Sequence, residues 1–194
     1  MVKKLLIVAL MFSAISVYAG IDYGLDAGST RVGVYGGMSI PSDWNWSGVT
    51  VAPGSTGPLF GAEFVRNIVP AFAVGIDAGW ASYGKKNSAG NNVDSDIFGL
   101  HFTGRYNFFP EMPTRIYIPA GVGLSEFNAH TDGGGSANQA GLSVFGGLGV
   151  EFDLSPEWTL GLEGRYSYMG IDADKFGDNK FDSLSMLVKL GLRF

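Results

Sequence analysis

The sequence predicts an all-β fold, an eight-stranded antiparallel, up-and-down transmembrane β-barrel. Eight segments alternate apolar residues with polar or small ones at a period of two, as a strand between two different media requires. The apolar positions carry even numbers in all eight segments. Long connections between the segments alternate with short ones along the chain. A barrel whose strands cross a membrane up and down in sequence order produces this pattern of connections.

The chain begins with the features of a secretory signal peptide. Two lysines precede an apolar run at residues 5–12, which is too short to span a bilayer as a helix. Small residues follow and predict cleavage after Ala19. We therefore assign residues 1–19 to an export signal that is removed and residues 20–194 to one barrel domain. An uncleaved membrane anchor is the alternative interpretation.

Composition excludes several classes of protein. The chain has 194 residues, 13 basic and 18 acidic side chains and a formal net charge of −5, so the sequence predicts no nucleic-acid partner. Removal of the two lysines in the signal peptide makes the charge more negative still. The chain has no cysteine. This excludes a disulfide-stapled miniprotein and a lipoprotein anchored through a cysteine.

The bulk of the even-numbered side chains decides which face of the sheet is inside. An eight-stranded barrel is only just wide enough to be filled by side chains, so its interior has no room for the many Phe, Trp, Tyr and Leu residues at even positions. An outward collar of these residues would aggregate in water but suits a bilayer. Pro119 lies inside one segment and predicts a bulge there. The eight predicted strands span residues 32–40, 58–64, 72–80, 98–108, 116–124, 140–154, 158–168 and 184–194.

The connections predict which end of the barrel faces the cell exterior. Outer-membrane barrels have long extracellular loops and short periplasmic turns. The predicted short turns contain proline, asparagine and serine, which are typical turn formers. They span residues 65–71, 109–115 and 155–157, and the predicted long loops span residues 41–57, 81–97, 125–139 and 169–183.

Aromatic residues at even positions gather at two levels, as the interfacial belts of a membrane barrel do. The belt predicted near the short turns consists of Phe72, Tyr106, Phe108, Phe152, Trp158 and Phe194. The belt predicted near the long loops consists of Phe60, Trp80, Phe98, Tyr166 and Tyr168.

Charged residues at odd positions predict an ionic network inside the barrel. A charge in a narrow lumen of low dielectric is costly unless it is paired, so we expect an interlocking plug. The alternative is that the same residues line a narrow pore. From the register of the hairpins we expect Asp77 within reach of Arg105, and Glu151 and Lys189 on either side of Gly161. The predicted network consists of Glu63, Asp77, Arg105, Glu151, Glu163, Arg165 and Lys189.

The sequence offers little that is typical of catalysis or metal binding. The chain has two histidines, and the alternation places His101 on the inner face and His130 in a long loop. We therefore expect no nucleophile, base and orienting group to converge, and no enzymatic activity. Residues 172–177 begin like a calcium loop but lack two of its ligands. We predict no cofactor and no metal site.

Three stretches resemble the small outer-membrane β-barrel family that includes the OmpA transmembrane domain, OmpX, OmpW and the opacity-type surface antigens. They are residues 32–37, residues 117–124 and the chain's ending, and the likeness covers essentially the whole mature chain. The resemblance implies a place in the cell outer membrane of a bacterium. It also implies a partner, the barrel-assembly machinery, which reads the terminal pattern formed by Leu190, Leu192 and Phe194.

Together these features predict a non-enzymatic surface protein with an envelope-integrity or adhesion role. Its expected partners are outer-membrane lipid, lipopolysaccharide and an extracellular partner bound through the long loops. Two alternatives stay open, a narrow porin-like channel for small or hydrophobic solutes and, more distantly, a soluble lipocalin-like barrel. If the even face meets lipid, Leu148→Arg should cost about 2 to 4 kcal/mol of stability, whereas Gly147→Ser on the lumen face should be mild.

Overall fold

The computed structural model describes residues 24–42, 44–46, 49–51, 56–88, 91–131, 136–170 and 180–194, so the predicted signal peptide lies outside the described residues. These residues form ten strands and no helix long and apolar enough to cross a membrane. The strands are β1 (Thr30–Pro41), β2 (Trp44–Trp46), β3 (Val49–Val51), β4 (Gly57–Val69), β5 (Phe72–Ser88), β6 (Asn91–Phe108), β7 (Thr114–Thr131), β8 (Ser136–Asp153), β9 (Trp158–Gly170) and β10 (Lys180–Arg193).

Eight of these strands close into an antiparallel barrel, as the sequence predicts. Strand β1 pairs with β4 on one side and with β10 on the other, while β4 to β9 each pair with the next strand in sequence. The closing ladder between β1 and β10 extends from Arg31 opposite Arg193 to Pro41 opposite Ser183. The short strands β2 and β3 form a separate two-stranded sheet in the first long connection.

The division between even and odd positions is confirmed. Every described large hydrophobic side chain that is exposed lies at an even position, apart from Val69 and Phe109 at the turns. The buried side chains of the described strands lie at odd positions, apart from Thr30 and Phe152. The odd face therefore lines the lumen, and the bulky even face forms the outer wall.

One member of the predicted aromatic belts is wrongly placed. Phe152 is only 5% exposed although its position is even. It is the second-last residue of β8, opposite Thr114, the first residue after a turn. We attribute its burial to this place at the rim, where the strand runs into the turn. Tyr168 is half-buried, and the other predicted belt residues are exposed on the outer wall, namely Phe60, Phe72, Trp80, Phe98, Tyr106, Phe108, Trp158, Tyr166 and Phe194.

Two of the predicted long loops are largely strand. The ladder between β5 and β6 continues to Ser88 opposite Asn91, and that between β7 and β8 continues to His130 opposite Ser136. Above the apolar band, outward positions such as Asp96 and Asn128 are polar. The hydrophobic alternation therefore disappears there although the backbone stays paired. These hairpins project beyond the apolar band on the loop side.

The bulge predicted at Pro119 is wrong. The register between β7 and β8 is the same on both sides of the proline, from Tyr117 opposite Gly149 to Ala120 opposite Gly146. Because proline has no N–H to donate, it interrupts the ladder without adding a residue to the strand. The irregularities in the described barrel lie elsewhere, between Asn67 and Val69 and between Tyr83 and Lys86.

The structure also changes the expected effect of a substitution at Gly147. A Cβ atom there would lie 2.5 Å from the backbone carbonyl oxygen of Gly164, so Gly147→Ser is not a mild change. Gly146 is the better control for the outer wall, because a Cβ atom at this position meets no heavy atom within 4 Å.

We predict that Leu148→Arg lowers the free energy of unfolding by about 2 to 4 kcal/mol, because the charge would face lipid. Leu148 is 59% exposed on the outer wall. Gly146→Leu should lie within about 0.5 kcal/mol of the wild type or increase its stability, since it adds an apolar group to an open apolar surface. Urea unfolding in lipid vesicles measures both. Severe destabilisation by Gly146→Leu, with little effect of Leu148→Arg, would mean that the wall is oriented the other way.

Candidate functional site in the barrel lumen

Eleven charged side chains of the described strands join into one network inside the barrel, which we call the lumen network. All seven residues of the sequence-predicted set belong to it. Four further members complete it, and two of these, Arg31 and Arg115, lie one residue outside the segments in which the alternation is visible. The members are Arg31, Glu63, Asp77, Arg105, Arg115, Glu151, Asp153, Glu163, Arg165, Lys189 and Arg193.

The half of the network nearer the loops is a chain of alternating charges. Asp77 accepts hydrogen bonds from the two terminal nitrogens of Arg165 at 3.0 and 3.2 Å. Arg165 also donates from Nε to Glu163 at 2.7 Å. The Lys189 ammonium lies 2.6 Å from Glu163 and 2.8 Å from Glu63. Each carboxylate in this half thus contacts at least one cation.

The half nearer the turns is rich in arginine. Glu151 pairs with Arg31, with Arg105 at 3.0 Å and with Arg115 at 3.1 Å. Asp153 pairs with Arg115 and Arg193. Arg31 also donates to Glu63 at 2.7 Å and so links the two halves.

The ion partners differ from those expected from hairpin register. Asp77 pairs with Arg165 of β9 instead of Arg105, and the residue directly opposite Asp77 in β6 is His101. Glu151 and Lys189 do flank Gly161 in register, as predicted, but each bonds to other side chains. The interior of an eight-stranded barrel is narrow, so a long side chain reaches the opposite wall as easily as the adjacent strand.

Two tyrosines that the sequence analysis did not single out complete the packing of the lumen. The Tyr35 hydroxyl donates to Asp77 at 3.1 Å, and the Tyr117 hydroxyl donates to Glu163 at 3.0 Å. Tyr117 lies opposite Gly149 in the ladder, and a Cβ atom at Gly149 would collide with its ring. A large odd residue facing a glycine on the next strand is the sequence signal for this contact.

An apolar cluster lies above the network on the loop side. Its members are at odd positions outside the predicted strands, four of them in the projecting hairpins and two at the loop ends of β9 and β10, and the sequence analysis did not identify them. A cavity of about 70 Å³ is lined by part of this cluster and by polar groups that include Asp77, His101 and Arg165. We call this cavity the upper chamber. The cluster consists of Ala81, Tyr83, Phe127, Ala129, Met169 and Phe181.

His101 lies in the lumen with an acid and a serine nearby, a combination that the sequence analysis did not foresee. Its Nε2 lies 2.8 Å from the Ser143 hydroxyl, but its Nδ1 is 3.9 Å from Asp77, which is too long for a hydrogen bond. Ser143 also accepts a hydrogen bond from Ser125 at 2.7 Å.

Other candidate sites fall outside this arrangement. The calcium-loop-like segment at residues 172–177 lies outside the described residues. Among the residues that the structure describes, no group of His, Asp and Glu side chains is placed to hold a metal ion. Leu190, Leu192 and Phe194 are exposed on the outer wall at the turn end. Phe194 exchanges two backbone hydrogen bonds of 2.9 Å with Thr30, so the barrel is paired to its last residue.

Comparison with known proteins agrees with this architecture. A family model described as outer membrane protein beta-barrel domain matches residues 5–194. The chain belongs to this family. Its members are outer-membrane β-barrels, and the described strands form a barrel of this kind. No curated protein matches the chain in sequence.

Solved structures with a similar fold come from several bacteria. Neisserial surface protein A has a TM-score of 0.58 and 18% identity, over 84% of this chain and 97% of that one. Ail, the attachment invasion locus protein of Yersinia pestis, has a TM-score of 0.57 and 17% identity, over 87% and 99%. OprG from Pseudomonas aeruginosa has a TM-score of 0.55 and 14% identity, over 90% and 99%. At these identities the similarity establishes the fold alone.

We predict that Glu151→Gln lowers the free energy of unfolding by about 3 to 5 kcal/mol, because it leaves three buried arginines without their shared carboxylate. The matched control is Glu157→Gln in an exposed turn, where the Glu157 carboxylate accepts a hydrogen bond from the Ser155 hydroxyl at 3.0 Å. The control should change stability by less than about 0.5 kcal/mol. Urea unfolding in vesicles measures both variants. Equal effects would mean that the lumen network contributes no more than a surface group.

Proposed function

We propose that this outer-membrane barrel is a closed, non-enzymatic scaffold that presents its long connections at the cell surface for adhesion or another interaction. The observation that supports the closed state is the lumen network. Its described side chains bridge opposite walls of the barrel, and Asp77, Glu151 and Arg115 are at most 3% exposed. In a barrel of this kind the wall serves as a frame, and selective contacts belong to the loops.

The energetics of the lumen argue against steady conduction. A continuous water path would have to separate ion pairs that cross the lumen, and breaking one buried pair typically costs about 3 to 5 kcal/mol. The void at the turn side of the network has a volume of about 20 Å³, enough for about one water molecule. We therefore infer a plug and not a pore lining.

The charge of the long connections indicates which kind of partner they can bind. Residues 41–57, 81–97, 125–139 and 169–183 together contain nine acidic residues and four lysines. Ail of Yersinia pestis has been crystallised with the heparin analogue sucrose octasulfate. Acidic connections repel a sulfated sugar of that kind, so we infer that this protein engages a partner with a basic surface instead.

The proposed route to the membrane follows from the two ends of the chain. We infer that residues 1–19 direct export and are cleaved after Ala19. The pattern Leu190, Leu192 and Phe194 then serves as the signal for the barrel-assembly machinery. In the membrane, the inferred partners of the even face are phospholipid at the turn end and lipopolysaccharide at the loop end.

A second candidate function is a narrow passage for small or hydrophobic solutes. The observation that favours it is the upper chamber, which combines the apolar side chains of Tyr83, Met169 and Phe181 with a polar floor at His101. Such a chamber suits an apolar group entering from the loop side. Passage beyond it would require the Asp77–Arg165 pair to separate.

We predict that the purified protein shows no large steady conductance in planar bilayers, because the lumen network occupies the path. An open eight-stranded porin-like channel measured under the same conditions is the reference. A large, stable wild-type conductance would contradict the closed state and favour the second candidate, as would solute uptake into vesicles that persists when the connections are shortened.

We predict that shortening the acidic connection at residues 171–179 to a Gly-Ser turn reduces adhesion of expressing cells to surfaces coated with a basic protein. The reason is the loss of three aspartates from the loop end. The matched control replaces Glu157 by Gln at the turn side and should leave adhesion unchanged. If the shortened variant folds normally and its adhesion is unaltered, this loop has no role in adhesion. Preferential binding of the wild type to heparin-coated surfaces would contradict the inferred basic partner.

A further inference from the structure

A small cavity lies among the arginines at the turn end of the lumen, and we call it the lower chamber. It has a volume of about 20 Å³. This is room for one particle of about the size of a water molecule. The polar residues that line it are Ser29, Thr30, Arg31, Asn67, Arg105, Asn107, Glu151 and Arg193.

Three buried N–H groups of the residues around the lower chamber have no acceptor among the residues that the structure describes. They are Nε of Arg31, Nη2 of Arg105 and Nδ2 of Asn107. The other polar atoms of these side chains are engaged. Arg105 donates to the side-chain oxygen Oδ1 of Asn107 at 2.6 Å and to Glu151 at 3.0 Å, and Arg31 donates to Glu63 at 2.7 Å and pairs with Glu151. A buried donor without an acceptor is costly, so three of them around one cavity indicate a shared acceptor.

The charges of the lumen network are not balanced. Within the described residues, the network has six cations and five carboxylates. The excess is nearer the turn end, where Arg31, Arg105, Arg115 and Arg193 share Glu151 and Asp153, and Arg31 also pairs with Glu63. Arg31 and Arg105 even share one oxygen, Oε2 of Glu151. A positive excess in a narrow lumen of low dielectric attracts a counter-anion.

We propose that the lower chamber is a binding site for one small monovalent anion, of the chemical class of chloride, held by Arg31, Arg105 and Asn107. The anion accepts hydrogen bonds from the three N–H groups and neutralises the excess positive charge at the turn end. A halide is only slightly larger than a water molecule and fits the cavity, whereas sulfate, phosphate and organic acids exceed it. Water alone would supply an acceptor but would leave the charge excess in place.

The first test locates the ion by crystallography. Crystals of the full barrel grown with bromide in place of chloride should show an anomalous peak within hydrogen-bond distance of Nε of Arg31, Nη2 of Arg105 and Nδ2 of Asn107. Crystals of the Asn107→Asp variant should lack it, because the new carboxylate occupies the place of the anion's charge. A wild-type chamber with density for water and no anomalous peak would overturn the proposal.

The second test measures linkage in solution at constant ionic strength, with gluconate replacing chloride. Above its dissociation constant, a single bound anion raises the folding equilibrium constant about tenfold for each tenfold increase in chloride. Asn107→Asp should abolish this dependence. Asn138→Asp makes the same change at an exposed position of the outer wall, remote from the chamber, and should retain it. Wild-type stability independent of chloride, or a chloride dependence that survives Asn107→Asp, would overturn the proposal.

Discussion

The ladder between β1 and β10 is the constraint on which the rest of the structure depends. In a bilayer no water is available to pair with a free strand edge, so every strand must have a neighbour on both sides. The closing ladder brings the first described strand beside the last and includes Phe194 at the rim. Closure with eight strands fixes a narrow interior, which forces most of the bulky side chains outward and leaves the middle and the turn end of the lumen largely to glycines, tyrosines and paired charges.

The narrow lumen also determines the chemistry inside it. Long cations such as Arg165 and Arg31 reach carboxylates on distant strands, so the network ties the walls together across the barrel. Such pairs contribute little net stability relative to apolar packing, because each charge must lose its water. In the function that we propose, their consequence is a lumen closed by interlocked charges, with selective contacts left to the loops.

The fold was predictable from sequence because the period of two is a local signal, repeated in all eight segments. The ion partners were not predictable from sequence. Asp77 and Arg165 come from strands on different sides of the barrel, and their contact depends on how the closed sheet is staggered. The strands of the projecting hairpins were not predicted for another reason. Outward positions such as Asp96 and Asn128 are polar, so pairing continues there without hydrophobic alternation. Phe152 shows that the alternation also fails at the rim.

The orientation of the wall is tested most directly by site-directed spin labelling along β10. The chain has no cysteine, so single cysteines at positions 184 to 190 can be labelled without interference from native thiols. In lipid vesicles, labels at even positions should be accessible to dissolved oxygen, which concentrates in the hydrocarbon, and labels at odd positions should be shielded from it. Oxygen accessibility that peaks at the odd positions, or that does not vary with a period of two, would contradict a barrel whose even face meets lipid.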